Sequence, residues 1–293
     1  MILAEANATG EVFSLPQLWL IIAVALCLPV CIAVFVRIGR WWITDRPVPL
    51  PIDGALSAVP LPLWTGLLLF LGTQTLVVAI VLGYDAAADA ALLPWEPLPV
   101  PDVFRPGLFI AQTVPVLVAF AILRGFGRWT PATVGVRAGD LGAGLAHGVV
   151  AFAAILPVCV AALMVNVVLL HLLKTPVTPH PVLEAILKTP DLWAFAFAGL
   201  MAVVIAPLAE EFLYRGILLM TLVRHVGIVP ALVVSSAVFA AAHFTAEPQA
   251  LLPLFFLGMA LGYIAYRTRS LVAPIIAHAL FNGLMIFGTF FGS

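Results

Sequence analysis

Residues 141–173 read LGAGLAHGVVAFAAILPVCVAALMVNVVLLHLL, 33 positions without a single Asp, Glu, Lys or Arg. A helix needs about 20 apolar residues to cross a ~30 Å hydrocarbon layer, so this stretch is predicted to span a membrane with residues to spare. Working outward, the same pattern recurs in charge-free runs at Val12–Val36, Gly54–Tyr84, Pro106–Leu123, Leu192–Ala209, His225–Ala246, Pro248–Tyr266 and Ser270–Ser293. The run from Leu192 meets Glu210 and Glu211 without a turn signal, and its helix is expected to continue to about Val223. Composition agrees: 63% of the 293 residues are apolar and 9% charged, and the mean hydropathy is +1.17. Soluble domains run at about 45–50% apolar and about 25% charged, so a soluble enzyme, a secreted module and a disordered tail are excluded. The expected fold is all-α: a polytopic membrane helical bundle of about eight transmembrane helices.

The connections around 37–53, 85–105 and 174–191 are proline-rich and too short to fold alone, which makes 1–293 a single integral membrane domain. The first run is not read as a signal peptide, because Glu5 and Glu11 precede it and it is too long for an h-region. Nine arginines (Arg37, Arg40, Arg46, Arg124, Arg128, Arg137, Arg224, Arg267 and Arg269) fall on one side of the spans. Arg105, Lys174 and Lys188 fall on the other, so both termini are expected to face outward. Gly144 with Gly148, and Gly258 with Gly262, are spaced to let helix backbones approach closely. The net charge of -1 offers no field for nucleic acid. Cys27, Cys31 and Cys159 lie in apolar stretches and read as small core residues.

Against this background the polar residues inside spans stand out. Glu210, Glu211 and Arg215 occur where a charge placed centrally costs about 2.5–3.5 kcal/mol. Glu211 and Arg215 are four apart and share a helical face, so they can neutralise each other. Glu210 is turned by about 100° and has no obvious partner on its own helix. Pro207 can loosen the helix just before it. An interfacial cluster that merely ends the span is the plainer alternative, but the apolar stretch Gly216–Val223 continues beyond it. His243, alone, reads as a hydrogen-bonded packing residue. His278 and Asn282, four apart on one face, suit either interhelical hydrogen bonding or two donors aimed at one spot, as an oxyanion requires. A carboxylate, two histidines and an asparagine on three separate helices are hard to explain as packing.

The three clusters resemble the motifs of the CAAX-protease and bacteriocin-processing (CPBP) family of intramembrane endopeptidases. They are EExxxR at Glu210-Glu211-Phe212-Leu213-Tyr214-Arg215, FxxxH at Phe239-Ala240-Ala241-Ala242-His243, and HxxxN at His278-Ala279-Leu280-Phe281-Asn282. The resemblance covers a catalytic core at about 192–287. It implies an eight-span helical bundle in which Glu210 and His243 position and deprotonate a water, His278 and Asn282 bind the oxyanion, and Glu211 and Arg215 give structural support. The implied substrates are peptides or lipidated proteins at the membrane, of which prenylated CAAX tails are the best-known case. The rival chemistries lack their residues: there is no HExxH, no GxSxG and no aspartate inside a span. No cofactor is expected. Zinc is the less favoured option, since two histidines and a carboxylate are also zinc ligands. From a different class, an immunity or scaffold protein, or a transporter using Glu210 as a proton site, keeps the same pattern of spans; intact motifs argue against the former and the absence of a repeat between halves against the latter. The expected location is a multi-pass position in a membrane, the plasma membrane in a prokaryote. The oligomeric state is not legible.

Overall fold

The computed structural model describes residues 61–89, 106–125, 141–174, 192–244 and 247–292. Among these residues there is no strand, and there are seven helices. They are α1 (Leu63–Asp89), α2 (Pro106–Gly125), α3 (Leu141–Leu172), α4 (Leu192 to Val226, in five joined segments), α5 (Ile228–Ala242), α6 (Leu251–Thr268, entered by the 3₁₀ turn Pro248–Ala250) and α7 (Val272–Gly292). With no water at membrane depth to satisfy backbone groups, helices that bond internally are the outcome such a sequence allows. The protein is an integral membrane helical bundle. Four helices, α1, α3, α4 and α6, are long and apolar enough to cross a membrane, and α2, α5 and α7 contribute shorter apolar stretches. The run Val12–Val36 lies outside the described residues.

One expected span needs correction. The charge-free run His225–Ala246 does not form a single helix from its first residue. Arg224 and His225 finish α4, and Gly227, at φ 81°, breaks the chain before α5 starts at Ile228. That left-handed backbone is open to glycine and strained for other residues. α5 is thus 15 residues long and ends at Ala242, which leaves His243 just beyond its last turn.

The two paired-glycine spacings do what close helix packing demands. Gly144 and Gly148 on α3 meet α7, where a Cβ on Gly148 would come within 2.8 Å of the Ala273 carbonyl oxygen and 2.7 Å of Ile276. Gly258 and Gly262 on α6 meet Ser236 and Leu232 of α5 at similar distances. The result is a core in which α3 lies along both α6 and α7, while α4 packs against α1, α5, α6 and α7. Ile217, Leu219, Leu232, Phe239, Leu257 and Leu261 are fully buried at its centre. The outer surface of α1 and α3 instead carries large aliphatic residues such as Leu68, Val78, Leu82, Val150 and Val168, a surface suited to hydrocarbon.

Candidate active site

The site begins with the irregularity of α4. Pro207 sits at the start of a five-residue α-helical segment, Ala206–Glu210, flanked by π-helical segments at Leu200–Ile205 and Glu211–Leu219. A proline inside a helix removes a donor and crowds the preceding turn. The wider π turns are the local answer, and such bulges recur at functional sites. All nine residues of the second π segment are buried, among them Glu211 and Arg215.

These two form the anticipated pair: Arg215 Nη1 donates to Glu211 Oε1 at 2.9 Å, with the side chains 2% and 0% exposed. Both charges lie inside the bundle and not on its surface. Arg215 Nη2 reaches the Gly258 carbonyl oxygen at 3.4 Å, and its guanidinium lies over the Phe239 ring, 4.5 Å from the centroid. His278, from α7, brings Nδ1 to the same Glu211 Oε1 at 2.8 Å. A carboxylate paired with a guanidinium only accepts, so the histidine donates from Nδ1 and presents Nε2 to the other side. There, at 3.8 Å, stands Glu210 Oε2. Glu210 has neither of Glu211's hydrogen bonds, its Oε2 has no hydrogen-bond partner, and its side chain is 21% exposed where Glu211's is 0%.

His243 is oriented by the end of its own helix. The His243 backbone N–H donates to Ala240 and Ala241, leaving the Phe239 carbonyl oxygen as one of the orphan acceptors of a helix C-terminus. His243 Nδ1 takes it at 2.9 Å. A carbonyl cannot donate, so Nδ1 carries the proton, and neutral His243 holds its lone pair at Nε2. The Phe239 ring, fully buried, lies between the two histidines, with centroids 5.0 Å from His243 and 5.8 Å from His278. The first residue of the FxxxH motif is therefore a packing hub that touches Arg215 and both imidazoles. Asn282, one turn beyond His278, donates from Nδ2 to the Ala202 carbonyl oxygen of α4 at 2.8 Å. Glu210, Glu211, Arg215 and His278 thus meet directly, His243 joins them through Phe239, and Asn282 engages the backbone of the first π segment.

Two supporting residues were missed in the sequence. Asn166, the buried polar interruption in α3, donates to the Pro248 carbonyl oxygen at 2.8 Å and holds the turn that follows His243. Its isolation in an apolar run was the available signal. Glu247 donates its backbone N–H to the His243 carbonyl at 2.8 Å. Burial pushes its carboxyl above the ordinary range, and a positive charge on nearby His243 pulls the other way. Among the described residues, no three His, Cys, Asp or Glu side chains are grouped as a metal ion would require.

Residues 192–284 match the family model described as type II CAAX prenyl endopeptidase Rce1-like. Over this third of its length the chain is similar to the CAAX-type peptidases that the model describes. The match covers α4 to most of α7, which includes all seven motif residues, while α1, α2 and α3 lie outside it. No curated protein and no solved structure matches the chain. The similarity is to a peptidase family and takes in the three motifs, on α4, α5 and α7.

Proposed function

We propose that this protein is an intramembrane endopeptidase that cleaves peptide bonds of membrane-associated substrates, CAAX-type lipidated tails among them, with a water activated by Glu210 and His243. The observation that supports this most is the unequal treatment of two adjacent glutamates. Each keeps an Oε2 without a hydrogen-bond partner, but the fully buried Glu211 holds Arg215 and His278 on its Oε1, whereas Glu210 has neither bond and keeps partial access. A carboxylate held this way is free to accept a proton.

In the proposed reaction the water lies between Glu210 and His243 Nε2. Its oxygen attacks the scissile carbonyl carbon as Glu210 takes its proton. The developing oxyanion is met by His278 Nε2–H and by the Asn282 N–H that Ala202 does not use, donors fixed before the reaction begins. Because Nδ1 of His278 already carries the proton given to Glu211, donation from Nε2 requires the imidazolium form, flanked by the carboxylates of Glu210 and Glu211. Collapse of the tetrahedral intermediate breaks the C–N bond, and the proton on Glu210 passes to the leaving nitrogen. No metal and no covalent enzyme intermediate takes part.

The test is cleavage of a farnesylated peptide ending in a CAAX sequence by purified protein in detergent. Wild type should cleave it, and the nearly isosteric Glu210→Gln should fold normally and lose at least about 100-fold in rate, the scale of one positioned base. A well-folded wild type that cleaves no membrane-associated peptide would instead favour a scaffold or a proton-coupled transporter on the same fold.

A further inference from the structure

Ala206 donates its backbone N–H to Met201 O, five residues back, in π register. Carried forward by one residue, the next donor is Pro207 and its acceptor is Ala202 O. Proline has no N–H, so the helix leaves this carbonyl unfilled at a depth where water is scarce and an unsatisfied acceptor is costly. The acceptor is filled from another helix, by Asn282 Nδ2 at 2.8 Å. We propose that Asn282 is the surrogate donor for Pro207, and that this bond makes Asn282 a positioning residue for Glu210 in addition to its part in binding the oxyanion.

The geometry supports this from two sides. α7 grips α4 twice, through Asn282 on Ala202 and through His278 on Glu211, and the short α segment with Pro207 and Glu210 lies between the two grips. A shift of either grip changes the direction in which Glu210 leaves the helix. The bond also orients the amide. A carbonyl oxygen can be met only by the NH₂ end, so Ala202 selects one of the two flips of Asn282 and leaves a second N–H on the same nitrogen for the oxyanion. Pro207 thereby acts at a distance, by creating the vacancy that holds Asn282.

This deepens the proposed function and rests on it for its catalytic half, so the test has one arm independent of activity. The full-length protein is purified in detergent as wild type, Pro207→Ala, Asn282→Leu and the double variant. In Pro207→Ala the residue at 207 has its own N–H for Ala202 O. Asn282→Leu should therefore lower the midpoint of thermal unfolding by about 2–4 °C or more in the wild-type background, and by less than half as much with Pro207→Ala. Equal losses in the two backgrounds would overturn the surrogate bond. Should Asn282→Leu fail to fold, Pro207→Ala is expected to rescue it, and failure of the double variant to fold would count equally against the proposal. In single-turnover and steady-state cleavage of the farnesylated CAAX peptide, Pro207→Ala should lower kcat about 10-fold or more with KM within about twofold, because the substrate still binds while the base and the amide are misaligned. A wild-type kcat would overturn the positioning role. If wild type itself does not cleave, the proposed function has failed, and the thermal comparison still decides the bond between Asn282 and Ala202.

Discussion

Replacing Glu211 by Gln should unfold this protein more readily than any other single change to its motifs. Glu211 Oε1 accepts from Arg215 Nη1 at 2.9 Å and from His278 Nδ1 at 2.8 Å, and the residue has no exposure at all. A neutral amide in its place can still accept a hydrogen bond, but it leaves the buried guanidinium of Arg215 without a balancing charge, beside Gly258 O at 3.4 Å and the face of Phe239. Breaking a buried pair from one side costs about 3–5 kcal/mol, since the orphaned charge stays out of water. At about 2–4 °C per kcal/mol for a chain of 150–250 residues, the melting midpoint should fall by roughly 6–20 °C. Arg215→Met should do similar harm, and the double variant Glu211→Gln with Arg215→Met should recover much of the loss, because no charge is then left alone. Thermal unfolding in detergent with a tryptophan or thiol probe measures all three against wild type. Midpoints for Glu211→Gln equal to wild type, beside a collapse for Glu210→Gln, would show that the roles of the two glutamates are reversed.

Three further expectations follow from the geometry. Gly148→Ala should destabilise the protein by about 1–3 kcal/mol, because its Cβ meets the Ala273 carbonyl and not a movable side-chain tip, whereas Gly72→Ala on α1, with nothing within 4 Å, should be neutral or slightly stabilising in the same thermal assay. Cleavage should survive dialysis against a chelator, and stoichiometric zinc whose removal abolishes activity and whose return restores it would refute the glutamate-water mechanism. Glu247 carries a carboxyl raised by burial, so the folded state holds its proton more tightly than the unfolded state and stability falls as pH rises through that range. Glu247→Gln should therefore raise the melting midpoint at neutral pH, with the gain vanishing on acidification; a gain that persists at acid pH would contradict this cause.

The membrane bundle was legible because one quantity, the length of charge-free sequence, decides it. Boundaries were less legible: His225–Ala246 reads as continuous because Gly227 interrupts it through backbone conformation, which hydropathy does not register. The pairing of Glu211 with Arg215 and the lack of a partner for Glu210 on its own helix follow from helical spacing; the structure shows that pair and brings Glu210 a neighbour from another helix, His278 at 3.8 Å. That His278 would turn Nδ1 to Glu211, and Asn282 its amide to Ala202, was out of reach, since both depend on how α7 is set against α4 and spacing within one helix says nothing about its neighbour. The loosening expected at Pro207 was legible in kind, but its form, two π segments around a short α segment, depends on which carbonyls find other donors.

The placement of α3 against α7 has a consequence for how the protein is made. Helices leave the ribosome in order, so α4 enters the membrane with Glu210 and Glu211 before His278 and Asn282 exist. Until α7 arrives, Arg215 is the only charge partner that Glu211 has from its own helix, and Ala202 O has none from α7. The helix that receives α7 through Gly144 and Gly148 is already waiting, made well before the carboxylates. Docking of the last described helix onto one of the first is thus the event that brings His278 to Glu211 and Asn282 to Ala202 O. A nascent chain paused before α7 therefore holds Glu210 and His243 but neither His278 nor Asn282, the two oxyanion donors of the proposed reaction.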